Sequence, residues 1–203
     1  MTVLGRFTGI PRDELSHVAD SARQNLAGGD PTVGLYRSTM PRLAATDDLA
    51  ALTTQVMTST ALYLRKGDRV TNLTFLSGAT AAGTPTNWWF ALYSAAVTPA
   101  LLAQTADQLT AAWAANAVKT LALSTPVDIP NDGVYYAAVM VKATTVPTLA
   151  GVTARAAAAG ALLAGSYGER ALAVTSGSGL TGTAPATIAT PTTVGTVPLM
   201  VAS

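Results

Sequence analysis

The chain carries few of the residues from which catalytic and metal sites are built. His17 is its one histidine, Glu14 and Glu169 are its only glutamates, and it has no cysteine. Without a second histidine or a thiolate, the common zinc sites and histidine-dependent catalytic triads cannot form. Two glutamates also leave little scope for the carboxylate pair of a glycosidase. We therefore expect no enzymatic activity and no catalytic, cofactor-binding or metal-binding residues.

Two pairs of aspartates could in principle supply oxygen ligands. Asp47 and Asp48 are adjacent, so their side chains diverge in an extended segment, and we interpret them as loop or cap residues. Asp128 and Asp132 flank the tripeptide "IPN". No further oxygen-rich residues cluster there, as a calcium loop would require. The pattern indicates a turn.

Two further stretches resemble phosphate-binding sequences only superficially. The run "SGSGLTG" at 176–182 has glycines, but it contains no lysine and no helical pattern follows it. It predicts a flexible loop. The run "RKGDR" at 65–69 is the densest charge cluster and contains an acid. It predicts a solvated hairpin tip.

The aromatic residues remain, above all the adjacent tryptophans in "NWWFALYS" at 87–94. In a strand, neighbouring side chains point to opposite faces. One face then carries Trp88, Phe90 and Leu92, and the other carries Trp89, Ala91 and Tyr93. Because two large rings at consecutive positions cannot enter one layer of side chains, we expect Phe90 in the core and Trp89 under a loop or another subunit. The candidate interface or binding residues on this strand are Trp88, Trp89 and Tyr93.

The N-terminal part of the chain predicts a helix followed by an extended arm. Over residues 11–27, the apolar side chains of Leu15, Val18 and Leu26 follow helical spacing, and two glycines at 28–29 end the pattern. These three residues are further interface candidates, because a short helix needs a surface to pack on. Residues 28–50 show no period. We predict one unit at 1–50, comprising the helix and a docking arm.

From residue 52 the apolar period becomes two, which is typical of strands. Over 52–64, Leu52, Val56, Leu62 and Leu64 fall on one face with threonines between them, and turn sequences stand at 65–68 and 128–133. Within "RVTNLTFLSG", alternation places Leu73 and Phe75 on one face and Val70 and Leu76 on the other. About eight short strands are predicted. The expected fold of residues 51–203 is mainly β, a jelly-roll-like β-sandwich preceded by the N-terminal helix and arm.

The charge pattern favours association with other proteins. Charged residues make up 11% of the chain, against about 25% in an average protein. The net charge of +1 gives no basis for binding nucleic acid or an anionic membrane. The most apolar run, 154–165, is shorter than the roughly 20 residues that span a bilayer. A surface with so few charges is prone to self-association.

Four motifs in fixed order resemble a domain of virion proteins from tailed actinobacteriophages, often described as minor tail proteins. They are "TNLTFLSGATAA" at 71–82, "WFAL" at 89–92, "AAWAAN" at 111–116 and "GVYYAAVMV" at 133–141; the later "GLTGTAPATI" at 179–188 fits the same pattern. The resemblance covers residues 52–203. It implies a β-rich structural domain of a phage particle and brings no catalytic residues.

The resemblance leads us to expect a structural virion protein, made in the host cytoplasm and located at the tail tip or in a fibre-like appendage. Its partners would be other virion proteins and further copies of itself, with a threefold oligomer as our expectation. One alternative is a capsid decoration protein. Another is a carbohydrate-binding module that recognises a host cell-surface glycan, which requires an exposed Trp88 or Trp89.

Overall fold

The computed structural model describes residues 34–46, 48–154 and 170–203. The predicted helix at 11–27 lies outside the described residues, and Leu15, Val18 and Leu26 lie there with it. His17, Asp47 and Glu169 are also outside them.

The described residues form twelve strands and one short 3-10 helix, Arg42–Ala44. The strands are β1 (Arg37–Ser38), β2 (Met57–Leu64), β3 (Arg69–Leu76), β4 (Asn87–Tyr93), β5 (Leu101–Gln104), β6 (Val118–Asp128), β7 (Gly133–Lys142), β8 (Gly151–Thr153), β9 (Ala173–Ser176), β10 (Thr192–Thr193), β11 (Thr196–Pro198) and β12 (Met200–Ala202). The predicted β class is confirmed. Strands β1, β8 and β10 were not predicted, because two or three residues are too few to show a period.

The strands pair in three antiparallel sheets. A four-stranded sheet has the order β1-β12-β3-β6, a six-stranded sheet has the order β10-β9-β2-β7-β4-β5, and β11 pairs with β8. The turns predicted at 65–68 and 128–133 join β2 to β3 and β6 to β7. Gly67 has a φ of 90° in the first of them, a conformation that glycine adopts without strain.

The main hydrophobic core draws side chains from both larger sheets. Phe75 on β3 and Phe90 on β4 have ring centroids 4.7 Å apart. Trp113, from the segment between β5 and β6, lies 5.6 Å from Phe90 in an edge-on arrangement. All three rings are fully buried. The two sheets therefore contact each other through the inward faces of β3 and β4.

One prediction about strand faces is wrong. Val70 was expected opposite Leu73 and Phe75, but all three belong to the main core. The amides of Thr71 and Asn72 both donate to the Ser203 carbonyl, each at 2.7 Å, so two consecutive residues of β3 face a single residue that follows β12. A bulge of this kind breaks the simple alternation and returns Val70 to the inner face.

Residues 34–46 and 48–50 pack against the strands of the β domain. Arg37 on β1 forms an ion pair with Asp68 at 2.8 Å in the β2–β3 turn. The Thr46 amide donates to the Gly151 carbonyl at 2.6 Å, and Leu49 lies in the main core. The predicted boundary near residue 50 therefore falls inside a segment that packs with the strands. The described part of the predicted arm, which begins at residue 34, packs against the β domain of the same chain.

Candidate functional site

Strand β4 places large side chains on both faces of the six-stranded sheet. On the inner face, Trp88 stacks on Trp113 with centroids 5.0 Å apart. Its indole N–H donates to the Ala111 carbonyl at 2.8 Å. The ring is buried and its polar atom is satisfied within the chain, which is what a structural tryptophan requires.

The outer face of β4 is covered by a loop of the same chain, Gly177–Ile188, which we call the cover loop. Trp89 is 0% exposed, and its indole N–H donates to the Thr181 carbonyl at 2.6 Å. The Tyr93 hydroxyl donates to the Pro185 carbonyl at 2.8 Å. Sequence alone left two possible covers, a loop or a second subunit, and the structure shows the loop.

A row of small residues makes room for this cover. Ser59 on β2, Ala138 on β7 and Ala91 on β4 are paired in register across the sheet. Larger side chains flank the row, with Met140 beside Trp89 on one side. Ala184, Ile188 and Leu180 of the cover loop pack in the cluster that this face forms. The cover loop therefore packs in the same cluster as the face that carries these small side chains.

Two glutamines hold the cover loop in place. The amide of Gln104 donates to the Gly182 carbonyl at 2.7 Å and accepts from the Ala184 N–H at 2.6 Å. The side-chain amide of Gln55 donates to the Leu180 carbonyl at 3.2 Å. The backbone carbonyl of Gln55 accepts from the Leu180 N–H at 3.0 Å. Sequence analysis missed both glutamines, because a lone amide side chain in a polar stretch carries no signal of its partner.

Burial further favours the neutral form of the two tyrosines on this face. Burial raises the pKa of the Tyr93 hydroxyl far above its ordinary value. Burial also raises the pKa of Tyr136, and Arg170 partly opposes that effect. The Tyr136 hydroxyl donates to the Ala171 carbonyl at 2.8 Å. Both groups remain neutral donors at ordinary pH, so they act in packing rather than in proton transfer.

The aspartates that could have held a cation have structural partners. Asp128 pairs with Arg69 at 3.0 Å, and Asp132 accepts from the Lys66 N–H at 2.7 Å. Both lie at the hairpin tips, where they were predicted as turn residues. Asp48 accepts from the Thr148 hydroxyl at 2.6 Å and from the Ala79 N–H at 2.5 Å. The hydrogen bond from Thr148, and to a lesser extent that from Ala79, holds the pKa of Asp48 below its ordinary value.

The structure places the aromatic candidates inside the chain. Trp88, Trp89 and Tyr93 are all fully buried, so none of their rings is offered to a partner in this conformation. The glycan-binding alternative required an exposed Trp88 or Trp89 and gains no support from either ring. Leu15, Val18 and Leu26 stay predictions, since they lie outside the described residues.

The described residues 34–46, 48–154 and 170–203 contain no group of three or more histidine, cysteine or acidic side chains placed to hold a metal ion. Within the same ranges, no helix has the length and apolar character needed to cross a bilayer.

Comparison of the chain with protein-family models and with curated proteins found no match.

Proposed function

We propose that this chain is a structural protein of a tailed-phage virion, acting by assembly and presentation at the tail tip or in a fibre-like appendage. The motif order described above motivates the proposal. We further propose that the two facing sheets constitute a jelly-roll-like β-sandwich, the compact module that such a role needs. The protein would be made in the host cytoplasm and reside in the virion.

One observation carries the structural role best. Within residues 34–46, 48–154 and 170–203, the tryptophan and aspartate side chains named as binding candidates make contacts inside the chain itself. Trp88 and Trp89 each donate an indole hydrogen bond to a backbone carbonyl of the same chain, and Asp48 and Asp132 accept from backbone amides. A domain arranged in this way is suited to hold a shape. We accordingly propose no enzymatic activity.

The proposed partners are other virion proteins and further copies of this chain, in a threefold arrangement. Residues 1–33 would provide the contact with neighbouring virion proteins, through Leu15, Val18 and Leu26. This assignment is based on the predicted apolar stripe, together with the packing of residues 34–46 and 48–50 against the β domain of the same chain. A host glycan remains a partner only if a surface other than the buried tryptophans binds it.

The copy number in purified particles tests the proposal. Quantitative mass spectrometry of virions should find a few copies of this chain, as in a tail tip. Hundreds of copies would instead favour the decoration protein of the capsid. Absence of the chain from particles, with the chain abundant in the infected cell, would exclude a virion role of either kind.

A further inference from the structure

Two buried serine hydroxyls lie on the face of the six-stranded sheet that the cover loop packs against. Because side chains alternate along a strand, Ser59 points to the same side of β2 as Met57. Ser176 points to the same side of β9 as Val174. Met57 and Val174 both belong to the hydrophobic cluster that contains Ile188 of the cover loop. Ser59 is 0% exposed and Ser176 is 6% exposed, and among the described residues these two have a buried side-chain oxygen without a hydrogen-bond partner.

The side chains beside these serines offer them no strong hydrogen-bonding group. Ser59 is paired in register with Ala138 on β7 and with Val174 on β9. Ser176 is paired with Met57, whose thioether sulfur is only a weak acceptor. Buried polar groups in native proteins are almost always hydrogen-bonded. Both hydroxyls therefore need a partner other than these neighbours.

The pairing register puts the two serines within reach of one bridging water molecule. Met57 faces Ser176 and Ser59 faces Val174, so the two serines are diagonal neighbours on one face. Such neighbours are about 7–8 Å apart, and their Cβ atoms are somewhat closer. Hydroxyls turned toward each other across that spacing are roughly 5 Å apart, whereas a direct O–H···O bond measures about 2.8 Å. A single water molecule spans the distance with two such bonds.

We propose that one water molecule is bound between the hydroxyls of Ser59 and Ser176, beneath the cover loop. A serine hydroxyl can donate one hydrogen bond and accept two, so each can serve the water in either sense. Buried waters typically make about three hydrogen bonds to groups that otherwise lack partners. The two serines supply two of them.

Tyr93 is the candidate for the third hydrogen bond of the water. Met57 is next to both serines on this face, and its sulfur lies 3.3 Å from the Tyr93 hydroxyl. That hydroxyl donates to the Pro185 carbonyl of the cover loop at 2.8 Å, and its oxygen can still accept. The water thus joins β2 and β9 to the cover loop through Tyr93.

The direction in which serine substitutions change stability tests this site. Urea unfolding of the full chain would compare wild type with Ser59→Ala, Ser176→Ala and the double variant. Removing a buried hydroxyl that has no partner would raise the unfolding midpoint, whereas removing one that holds a water lowers it. We expect each single substitution to lower the midpoint. The double variant should lose less than the two single losses combined, because one water links both groups.

Ser77→Ala is the matched control. Ser77 is also buried, but its hydroxyl donates to the Ala114 carbonyl at 2.6 Å within the chain. Its substitution should lower the midpoint, and the loss should add to that of Ser59→Ala, because the two serines share no partner. Additive losses for Ser59→Ala and Ser176→Ala as well would mean that these serines have separate partners, and a raised midpoint in either would mean that its hydroxyl has none. Both results would overturn the bridge.

A high-resolution crystal structure of the full chain shows the water directly. We expect an ordered water about 2.6–3.2 Å from both Oγ atoms, and no water there in the double variant. A direct bond between the two serines, or a side chain from residues 1–33 or 155–169 bonded to either of them, would overturn the proposal. These readouts are independent of the virion role, which particle composition decides.

Discussion

Trp88 and Trp89 are adjacent in the chain and donate their indole hydrogen bonds on opposite sides of one sheet. Trp88 reaches the Ala111 carbonyl at 2.8 Å in the main core, and Trp89 reaches the Thr181 carbonyl at 2.6 Å in the cover loop. One strand thus joins two hydrophobic layers. Substitutions on the two faces should therefore have consequences that can be told apart.

Replacing Phe90 by Ala should cost about 3–5 kcal/mol of the free energy of unfolding. Its ring lies 4.7 Å from Phe75 and 5.6 Å from Trp113, so the substitution opens a cavity between the two sheets. Urea unfolding of the purified chain measures the loss. Val97→Ala is the control, because Val97 is exposed and should change stability little. Equal stability of both variants would contradict the position of Phe90 in the core.

Trp89→Ala should also be strongly destabilising, by about 3–5 kcal/mol. If a second subunit covered Trp89, the substitution would instead reduce association more than folding stability. The indole is buried and bonded within the chain, so folding should suffer first. Trp89→Phe keeps much of the ring and removes the donor, and we expect an intermediate loss in the same urea experiment. A Trp89→Ala variant that unfolds like wild type but fails to associate would restore the subunit interpretation.

Gln104→Ala should loosen the cover loop while the rest of the domain stays folded. The substitution removes both amide contacts to the loop backbone, at Gly182 and Ala184, each worth on the order of 1 kcal/mol. Hydrogen exchange at the Ala184 amide should speed up by tenfold or more. Gln108→Ala is the matched control, because the Gln108 side chain donates only to the nearby Ala106 carbonyl. Unchanged exchange in Gln104→Ala would show that packing alone holds the loop.

Asp48→Asn should reduce stability in a pH-dependent way. The hydroxyl of Thr148 and the N–H of Ala79 lower the pKa of Asp48 from its ordinary 3.8. A carboxylate whose pKa is depressed by folding stabilises the folded chain above its unfolded pKa, and the contribution is lost as the pH falls through the folded pKa. The difference between wild type and Asp48→Asn should therefore be largest above about pH 4 and shrink below it.

Thermal unfolding across this pH range measures that difference. Asp128→Asn is the control. Asp128 pairs with Arg69 at 3.0 Å, but both side chains are exposed, and exposed ion pairs contribute little to stability. If the melting temperatures of wild type and Asp48→Asn differ by the same amount at all pH values, the charge of Asp48 does not stabilise the folded chain.

Two N-terminal truncations should behave differently. Removing residues 1–33 leaves every described strand in place, whereas removing 1–50 also deletes β1, the Arg37–Asp68 ion pair and the buried Leu49. We expect the shorter truncation to fold and to lose incorporation into particles, and the longer one to unfold at lower temperature. Normal incorporation of the 1–33 truncation would contradict the docking role proposed for that segment.

The sequence by itself determined the features that depend on neighbouring residues. Side chains alternate between the two faces of a strand, so the order of residues in "NWWFALYS" predicted Phe90 and Trp89 on opposite faces. In the structure they belong to separate hydrophobic clusters. The turns at 65–68 and 128–133 could also be predicted, because proline fixes φ, glycine permits positive φ and aspartate hydrogen-bonds to the nearby backbone. These are properties of a few consecutive residues.

Tertiary structure decided what lies against those faces. Trp89 and Thr181 are 92 residues apart in the chain, and nothing local to either residue indicates the other. The bulge that returns Val70 to the core depends on Ser203, far along the chain, and the docking of Leu49 depends on residues near 149. Pairings over such distances follow from the packing of the whole domain, because each segment meets its partner only when the sheets come together.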